Sequence, residues 1–397
     1  MDSAHAPKRT RSTRRRQDAP DLPRHRVAAT TVGRTFEGRD GQVFRPSTFL
    51  TLTLPSYGRV RADGTPVDRD AYDYRHAARD ALHFSSLLDR FWQNLRRAAG
   101  WNVQYFATVE PQKRGAAHLH AAVRGTMPRT LVRQVAAATY HQVWWPAHDE
   151  PSYPVDAAPV WDHNTAGYLD PATGDALPTW EQTLDQLDTD PNARPAHVVR
   201  FGPHIDVQGV IADNQRAGDC LGYLVKYLTK STAEIIEPDT ANQADHYRRL
   251  AAELRVTPCS PRCANWLLYG VQPQQARAGL NPGACKSKAH QAATLGYAGR
   301  RCLVSRLWSG KTLSEHRTDR RAHVLRTLGA VGARLHLATD DGDVTRYEWE
   351  PVRPGDLDNP NPVELLLRVI NQQRHWRHQY EQARDQLDRS ATTDLAA

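Results

Sequence analysis

His118-Leu119-His120 places two imidazoles one residue apart. Alternate residues of a strand share a face, so both rings would project from one side while Leu119 points into the core. Two imidazoles converging in this way can chelate a metal ion, although an ordinary pair of strand histidines has the same spacing. The chain contains 18 histidines, enough to supply one such spacing by chance. Glu110 adds a third donor. It ends a strand-like stretch from Gln104, and the seven residues from Pro111 to Ala117 lead into a second strand, His118 to Val123. An antiparallel pair joined in this way sets Glu110 opposite His118, about 5 Å apart. Two imidazoles and one carboxylate leave coordination positions open, which suits a divalent cation that also holds substrate oxygens. The plainer reading of Glu110 is an exposed acid at a strand end.

A second group of reactive side chains lies in Gly222-Tyr223-Leu224-Val225-Lys226-Tyr227-Leu228-Thr229-Lys230. At about 100° per residue, Tyr223, Tyr227, Lys226 and Lys230 fall within one arc of about 100°. Leu221, Leu224, Val225 and Leu228 take the opposite, buried side. Two phenols thus stand one turn apart with two ammonium groups beside them. A tyrosine hydroxyl is a weak nucleophile at neutral pH, with a reference pKa of about 10. Nearby cations, and a metal polarising a target phosphate, would activate it. An amphipathic helix with two interfacial tyrosines and two solvated lysines fits the same pattern.

The cysteines form a third group. Cys259, Cys263, Cys285 and His290 have the number and spacing of a Cys3His zinc site, with Pro282-Gly283 supplying a turn before the third ligand. Buried free thiols are the alternative. Cys220 and Cys302 stand outside the pattern and read as small core residues. Around the cluster, Arg262, Lys286, Lys288, Arg300, Arg301, Arg306 and Lys311 interleave with Trp266, Tyr269, Tyr297 and Trp308. That mixture suits phosphate contact with base stacking, and equally a charged surface over an aromatic core.

The elements that must position these groups follow from periodicity. Phe49 to Leu54 alternates with period two and is closed by Pro55, as a strand would be. A helix is predicted from about Asp70 to Ala99, with Leu82, Leu87, Leu88, Phe91, Trp92 and Leu95 as its apolar stripe and Gly100 as its stop. Residues 1–34 read as a disordered basic tail, and residues 35–236 as one domain carrying a Pro- and Asp-rich surface insertion at about 149–195. Residues 237–330 form an accessory region holding the cysteine cluster. Residues 331–397 form a hairpin turning at Asp341-Gly342 and a helix from Pro362 to about Asp388.

The 397 residues carry 52 Lys+Arg against 44 Asp+Glu, a net charge of +8 that favours a polyanionic partner. Only seven of those cations are lysine. The arginine bias reads as high-GC coding, which makes the pairing of Lys226 and Lys230 with the two tyrosines more informative. No apolar run approaches the roughly 18 residues of a membrane span, and no apolar segment follows the N-terminal arginines as in a secretory signal. A cytoplasmic protein is expected, without a membrane partner. Five cysteines in such a chain argue for thiols or a metal rather than a disulfide framework.

Taken together, these motifs resemble the HUH endonuclease superfamily, and within it the two-tyrosine rolling-circle replication initiators of actinobacterial plasmids and integrative elements. The resemblance spans roughly residues 35 to 330. Phe49-Leu50-Thr51-Leu52-Thr53 is similar to the first motif, His118-Leu119-His120 to His-hydrophobic-His, and Tyr223 to Lys230 to the tyrosine motif. Trp266 to Pro273 and Gly299 to Arg306 resemble the actinobacterial group. Its members often begin with a longer, cysteine-containing portion, where this chain begins with a short basic tail. The resemblance implies an α+β fold: an HUH endonuclease domain with a central antiparallel sheet and a tyrosine-bearing helix, then a small zinc-containing basic region and a C-terminal helix. It implies Mg2+ or Mn2+ held by His118, His120 and Glu110, attack by Tyr227 with Tyr223 available for a second transfer, and phosphate contacts from Lys226 and Lys230. The implied partners are origin DNA, single-stranded or cruciform, with a host helicase and DNA polymerase. A relaxase or transposase of the same chemistry is the first alternative, although such classes usually bring a helicase and the chain has no P-loop motif. A non-catalytic zinc-containing DNA-binding regulator is the second.

Overall fold

A computed structural model describes residues 18–37, 41, 43–44, 46–210 and 237–309, together with isolated positions between 315 and 382. Two compact units divide the chain at Ser309/Gly310. In the second, the described positions are helical, and Arg377 pairs with Glu381 one turn on at 3.2 Å. The predicted turn at Asp341-Gly342 lies outside the described residues.

The first unit is built on a five-stranded antiparallel sheet. Two short strands, β1 (Phe36–Glu37) and β2 (Val43–Phe44), pair with each other ahead of it. The sheet comprises β3 (Ser47–Thr53), β4 (Tyr105–Pro111), β5 (Ala117–Arg124), β10 (Ile205–Val210) and β11 (Cys302–Val304), in the order β10-β3-β5-β4-β11. Side chains alternate across it as the sequence demands. Leu50, Leu52, Ala107, Val109, Leu119, Ala121, Val123 and Val207 form one buried face. Helix α1 (Tyr74–Ala99) contributes Phe84, Leu87, Leu88, Phe91, Trp92 and Leu95 to the same core, and the Trp92 ring stacks on Tyr105 at 3.6 Å. Each such side chain removed from water contributes roughly 1.5–3 kcal/mol.

The predicted helix begins four residues later than Asp70. The Asp73 carboxylate accepts the His76 N–H at 2.8 Å and caps the helix there. Its end is the predicted one, with Gly100 at φ +82°. Helices α2 (Arg129–Ala138) and α4 (Ala241–Val256) pack against α1, with α3 (Trp180–Thr189) between them in sequence. A four-residue helix, α5 (Arg306–Ser309), follows β11.

One expectation is corrected, and a second segment proves more ordered than its composition suggests. Residues 18–34 are not a free tail: Leu22 and Val27 pack against the core, and the Val27 N–H donates to the Ala99 carbonyl, left open at the end of α1. Segment 149–195, the predicted insertion, has regular structure of its own. It holds the hairpin β7 (Val160–Asp162) and β8 (Gly167–Leu169), then α3, which starts with a Thr179/Gln182 capping box. Trp180 of α3 is buried against Trp266, with ring centres 5.0 Å apart.

A layer of histidines lines the seam between α1 and the paired strands β6 (Tyr140–Val143) and β9 (His197–Arg200). The buried His83 ring lies 5.8 Å from His141 and 4.7 Å from Trp145. Among the described residues, no helix is long and apolar enough to cross a membrane.

Candidate functional site

The face of the sheet opposite the core carries the site. In register, Thr53 of β3, His118 of β5 and Glu110 of β4 lie side by side, and the next row brings Thr51, His120 and Thr108 together. Glu110 therefore stands opposite His118, as the loop length predicts. One ligand atom from each of Glu110, His118 and His120 lies within 4.8 Å of the others, and all three residues are buried.

Hydrogen bonds set the imidazoles. His118 Nδ1 lies 2.9 Å from the Glu110 carbonyl oxygen, which can only accept, so this nitrogen carries the proton and Nε2 offers a lone pair. His120 Nδ1 is 3.0 Å from the Thr51 hydroxyl. The two Nε2 atoms face each other at 2.7 Å. At ordinary nitrogen–metal distances of about 2.1 Å, that separation subtends about 80° at a shared ion, close to the edge of an octahedron. Burial holds His118 down to about 4 and His120 to about 3, the second also lowered by His118 itself. Both rings are thus neutral at pH 7, the form that binds metal. The donor set, the fixed ring orientations and the buried carboxylate all fit a divalent metal ion.

Arg114 supports this edge from the β4–β5 loop. Its guanidinium donates to the Leu54 and Pro55 carbonyls at 2.8 and 2.7 Å, which ties the end of β3 to that loop. Gly115 makes the loop possible at φ +78°, packed so closely on Leu250 that a Cβ would sit 3.0 Å from it. Sequence reasoning did not single out Thr51, Thr108 or Arg114. Thr108 donates to Glu110 Oε1 at 3.2 Å. The only early signal was the period-two alternation that put Thr51 on the face of the histidines once β3 and β5 are paired.

Cys259, Cys263, Cys285 and His290 also converge, each offering a ligand atom within 4.8 Å of the others. His290 Nδ1 lies 2.7 Å from the Leu254 carbonyl, and its Nε2 faces Cys263 Sγ at 3.5 Å. The hydrogen bond with Cys263 pulls Cys259 far down from the ordinary thiol range and lowers Cys285 as well, whereas Cys263 is raised. The cluster thus favours thiolate at two sulfurs, the form that binds zinc. Cys263 shares a core with Trp180, Trp266 and Val271, so segment 149–195 and the cysteine loop are built on one another. Cys302 lies apart from the cluster, on β11 opposite Thr108.

Tyr223, Lys226, Tyr227 and Lys230, with Cys220, lie outside the described residues. The structure therefore brings together the three donors of the sheet site and the four of the cysteine site.

The profile of a family described as "Replication initiator protein, pSAM2" matches residues 1–371. A replication initiator protein from Streptomyces ambofaciens is 26% identical over 268 residues, covering 56% of this chain and 52% of the relative. The chain therefore spans about half the length of that curated relative. No solved structure matches it. With a match running over nearly its whole length, the chain belongs to the RepSA family of replication initiator proteins.

Proposed function

We propose that this protein initiates rolling-circle replication of a plasmid or integrative element by nicking one strand of origin DNA, presented single-stranded or as a cruciform. The observation that carries the reading is the convergence of Glu110, His118 and His120 on one sheet face, in a chain of a replication-initiator family. Bound Mg2+ or Mn2+ supplies polarisation of the scissile phosphate and a counter-charge for the crowded transition state. His118 and His120 present neutral lone pairs whose directions are set by the Glu110 carbonyl and the Thr51 hydroxyl. The Glu110 side chain brings the negative charge.

Tyr227 is the nucleophile in this mechanism. Its phenol gives up a proton to solvent, the oxygen bonds to phosphorus, and the bond from phosphorus to the 3′ oxygen breaks. That oxygen takes up a proton and becomes the free 3′-OH for a host polymerase, while the 5′ phosphate stays on tyrosine. The energy of the phosphodiester is kept in this link, so rejoining needs no ATP. Tyr223, four residues earlier in the sequence, takes the second transfer, and Lys230 and Lys226 orient the phosphate or stabilise the phenoxide. Cys259, Cys263, Cys285 and His290 hold a structural Zn2+ that organises the accessory region. Unwinding is left to a host helicase.

A basic cleft supports the DNA reading. Arg24, Arg26, Arg90 and Arg97 line a cavity of about 880 Å3 with Tyr140 and Trp144, a combination that contacts phosphates and stacks on bases. Incubation with Mn2+ and origin oligonucleotides should give a protein–DNA adduct that survives denaturation, together with a shortened strand ending in 3′-OH, and EDTA should abolish both. DNA binding that persists in EDTA with no cleavage product under any metal would replace this reading with that of a non-catalytic regulator.

A further inference from the structure

A third cluster of ligand-type side chains lies away from both sites. His76 and Asp80 sit one turn apart on α1, and His197 opens β9 across the seam. One ligand atom from each lies within 4.8 Å of the others. His197 Nε2 is 2.7 Å from Asp80 Oδ1, and His76 Nε2 is 3.5 Å from Asp80 Oδ2. The two imidazole rings meet edge to face at 4.9 Å.

Asp80 is 0% exposed. A buried carboxylate needs a compensating positive charge. The adjacent Arg79 does not supply it, because its guanidinium is committed to Asp149 at 2.8 Å and to the His148 carbonyl at 2.6 Å. Asp80 meets two imidazoles and the Tyr57 hydroxyl, which donates to Oδ2 at 2.8 Å and holds the carboxylate plane. Ligand atoms around a four- or six-coordinate ion lie about 3.0–3.4 Å apart at metal–ligand distances of about 2.1 Å. His197 approaches Oδ1 and His76 approaches Oδ2, so the two imidazoles flank the carboxylate and small side-chain shifts would bring one atom of each onto a shared ion. His76 and His197 also line a cavity of about 610 Å3 with Asp73, Arg79 and Asp149. The cavity gives an ion a path in and room for a water as the remaining ligand.

We propose that His76, Asp80 and His197 form a binding site for a divalent cation of the zinc class, which clamps α1 to β9. The ion would place a full positive charge beside buried Asp80 and join two elements far apart in sequence. Two nitrogens and one oxygen suit zinc, or cobalt as its spectroscopic substitute.

Cobalt loading of the full chain separates this site from the cysteine site, because thiolate ligands give an intense charge-transfer band and imidazole–carboxylate ligands do not. His76→Gln and His197→Gln proteins should each take up one Co2+ fewer per chain than wild type at concentrations that saturate it, with the charge-transfer band unchanged. His76 has 43% of its side chain exposed, so His76→Gln decides the matter even where His197→Gln fails to fold. Equal Co2+ uptake by wild type and His76→Gln overturns the proposal and leaves a metal-free His–Asp–His hydrogen-bond network. Loss of origin nicking with unchanged uptake would overturn it as well.

Discussion

His120→Ala and Tyr227→Phe proteins should both fail to form a covalent adduct with origin DNA, and should fail in different ways. The His120 side chain presents one of two nitrogens 2.7 Å apart, so its removal leaves a buried carboxylate and a single imidazole. Mn2+ binding at the sheet is lost, and cleavage falls by at least about 10³-fold, the scale of losing transition-state charge stabilisation. Tyr227→Phe leaves every one of these donors in place. That protein should bind Mn2+ as wild type does while giving no phosphotyrosine product, even with Tyr223 present in the first turnover. Thr51→Val should fall between wild type and His120→Ala: the nitrogens remain, but His120 loses the hydroxyl that sets its ring, which costs about 10–100-fold in metal affinity. Calorimetric Mn2+ titration and denaturing gels of the adduct measure the two properties separately. Adduct formation by His120→Ala at the wild-type rate would remove the sheet site from the mechanism.

The second large effect concerns the cysteine site. Cys263 is 2% exposed and is part of the core that contains Trp180 and Trp266. Cys263→Ser takes away a proposed zinc ligand and sets a poorly matched hydroxyl among indoles. A structural zinc contributes folding energy directly, so the loss should be at least about 3 kcal/mol. A strong chelator acting on wild type should reproduce most of it. Both treatments should red-shift tryptophan emission, because Trp145, Trp180 and Trp266 surround the site. Cys302→Ser, on β11, is the matched control and should leave stability within about 1 kcal/mol of wild type. A Cys263→Ser protein as stable as that control, with the same metal content as wild type, would show that the cluster is four packed side chains and nothing more.

The parts of this architecture that were legible from sequence are those fixed by local periodicity. Leu82 to Leu95 announces a helix and Gly100 its end, because both signals lie within a few residues of what they describe. His118-Leu119-His120 announces a shared face, and the length of the loop before it brings Glu110 opposite. Local pattern does not reveal what depends on pairing between distant strands. Thr51 becomes the partner of His120 only because β3 lies beside β5, and the carbonyl that orients His118 belongs to a backbone with no sequence signature at all. Residues 18–34 read as a charged tail because two apolar anchors, Leu22 and Val27, are few among arginines. In segment 149–195 the capping box at Thr179 was the available signal, and the abundance of Pro and Asp masked it. The arc predicted for Tyr223, Tyr227, Lys226 and Lys230 falls outside the described residues.

The histidines along the seam of α1 have a consequence for behaviour in acid. Burial holds His83 down to about 3, with His141, His197 and His148 adding to the effect, and it holds His141 and His148 to about 4, against an ordinary value of 6.5. As pH falls below about 6.5 the unfolded chain takes up protons at these rings that the folded chain refuses, so stability drains away between there and about pH 4. The three rings influence one another, so their losses do not simply add, and His76 in the same seam is shifted upward by Asp80 and works in the opposite sense. Thermal unfolding followed from pH 7.5 to 5 should show the midpoint falling steeply, and His83→Phe, which fills the same space without a titrating ring, should flatten that slope. The packing that buries these rings beside α1 should therefore be the first part of the fold to lose its advantage in mild acid, before the carboxylates of the chain are neutralised.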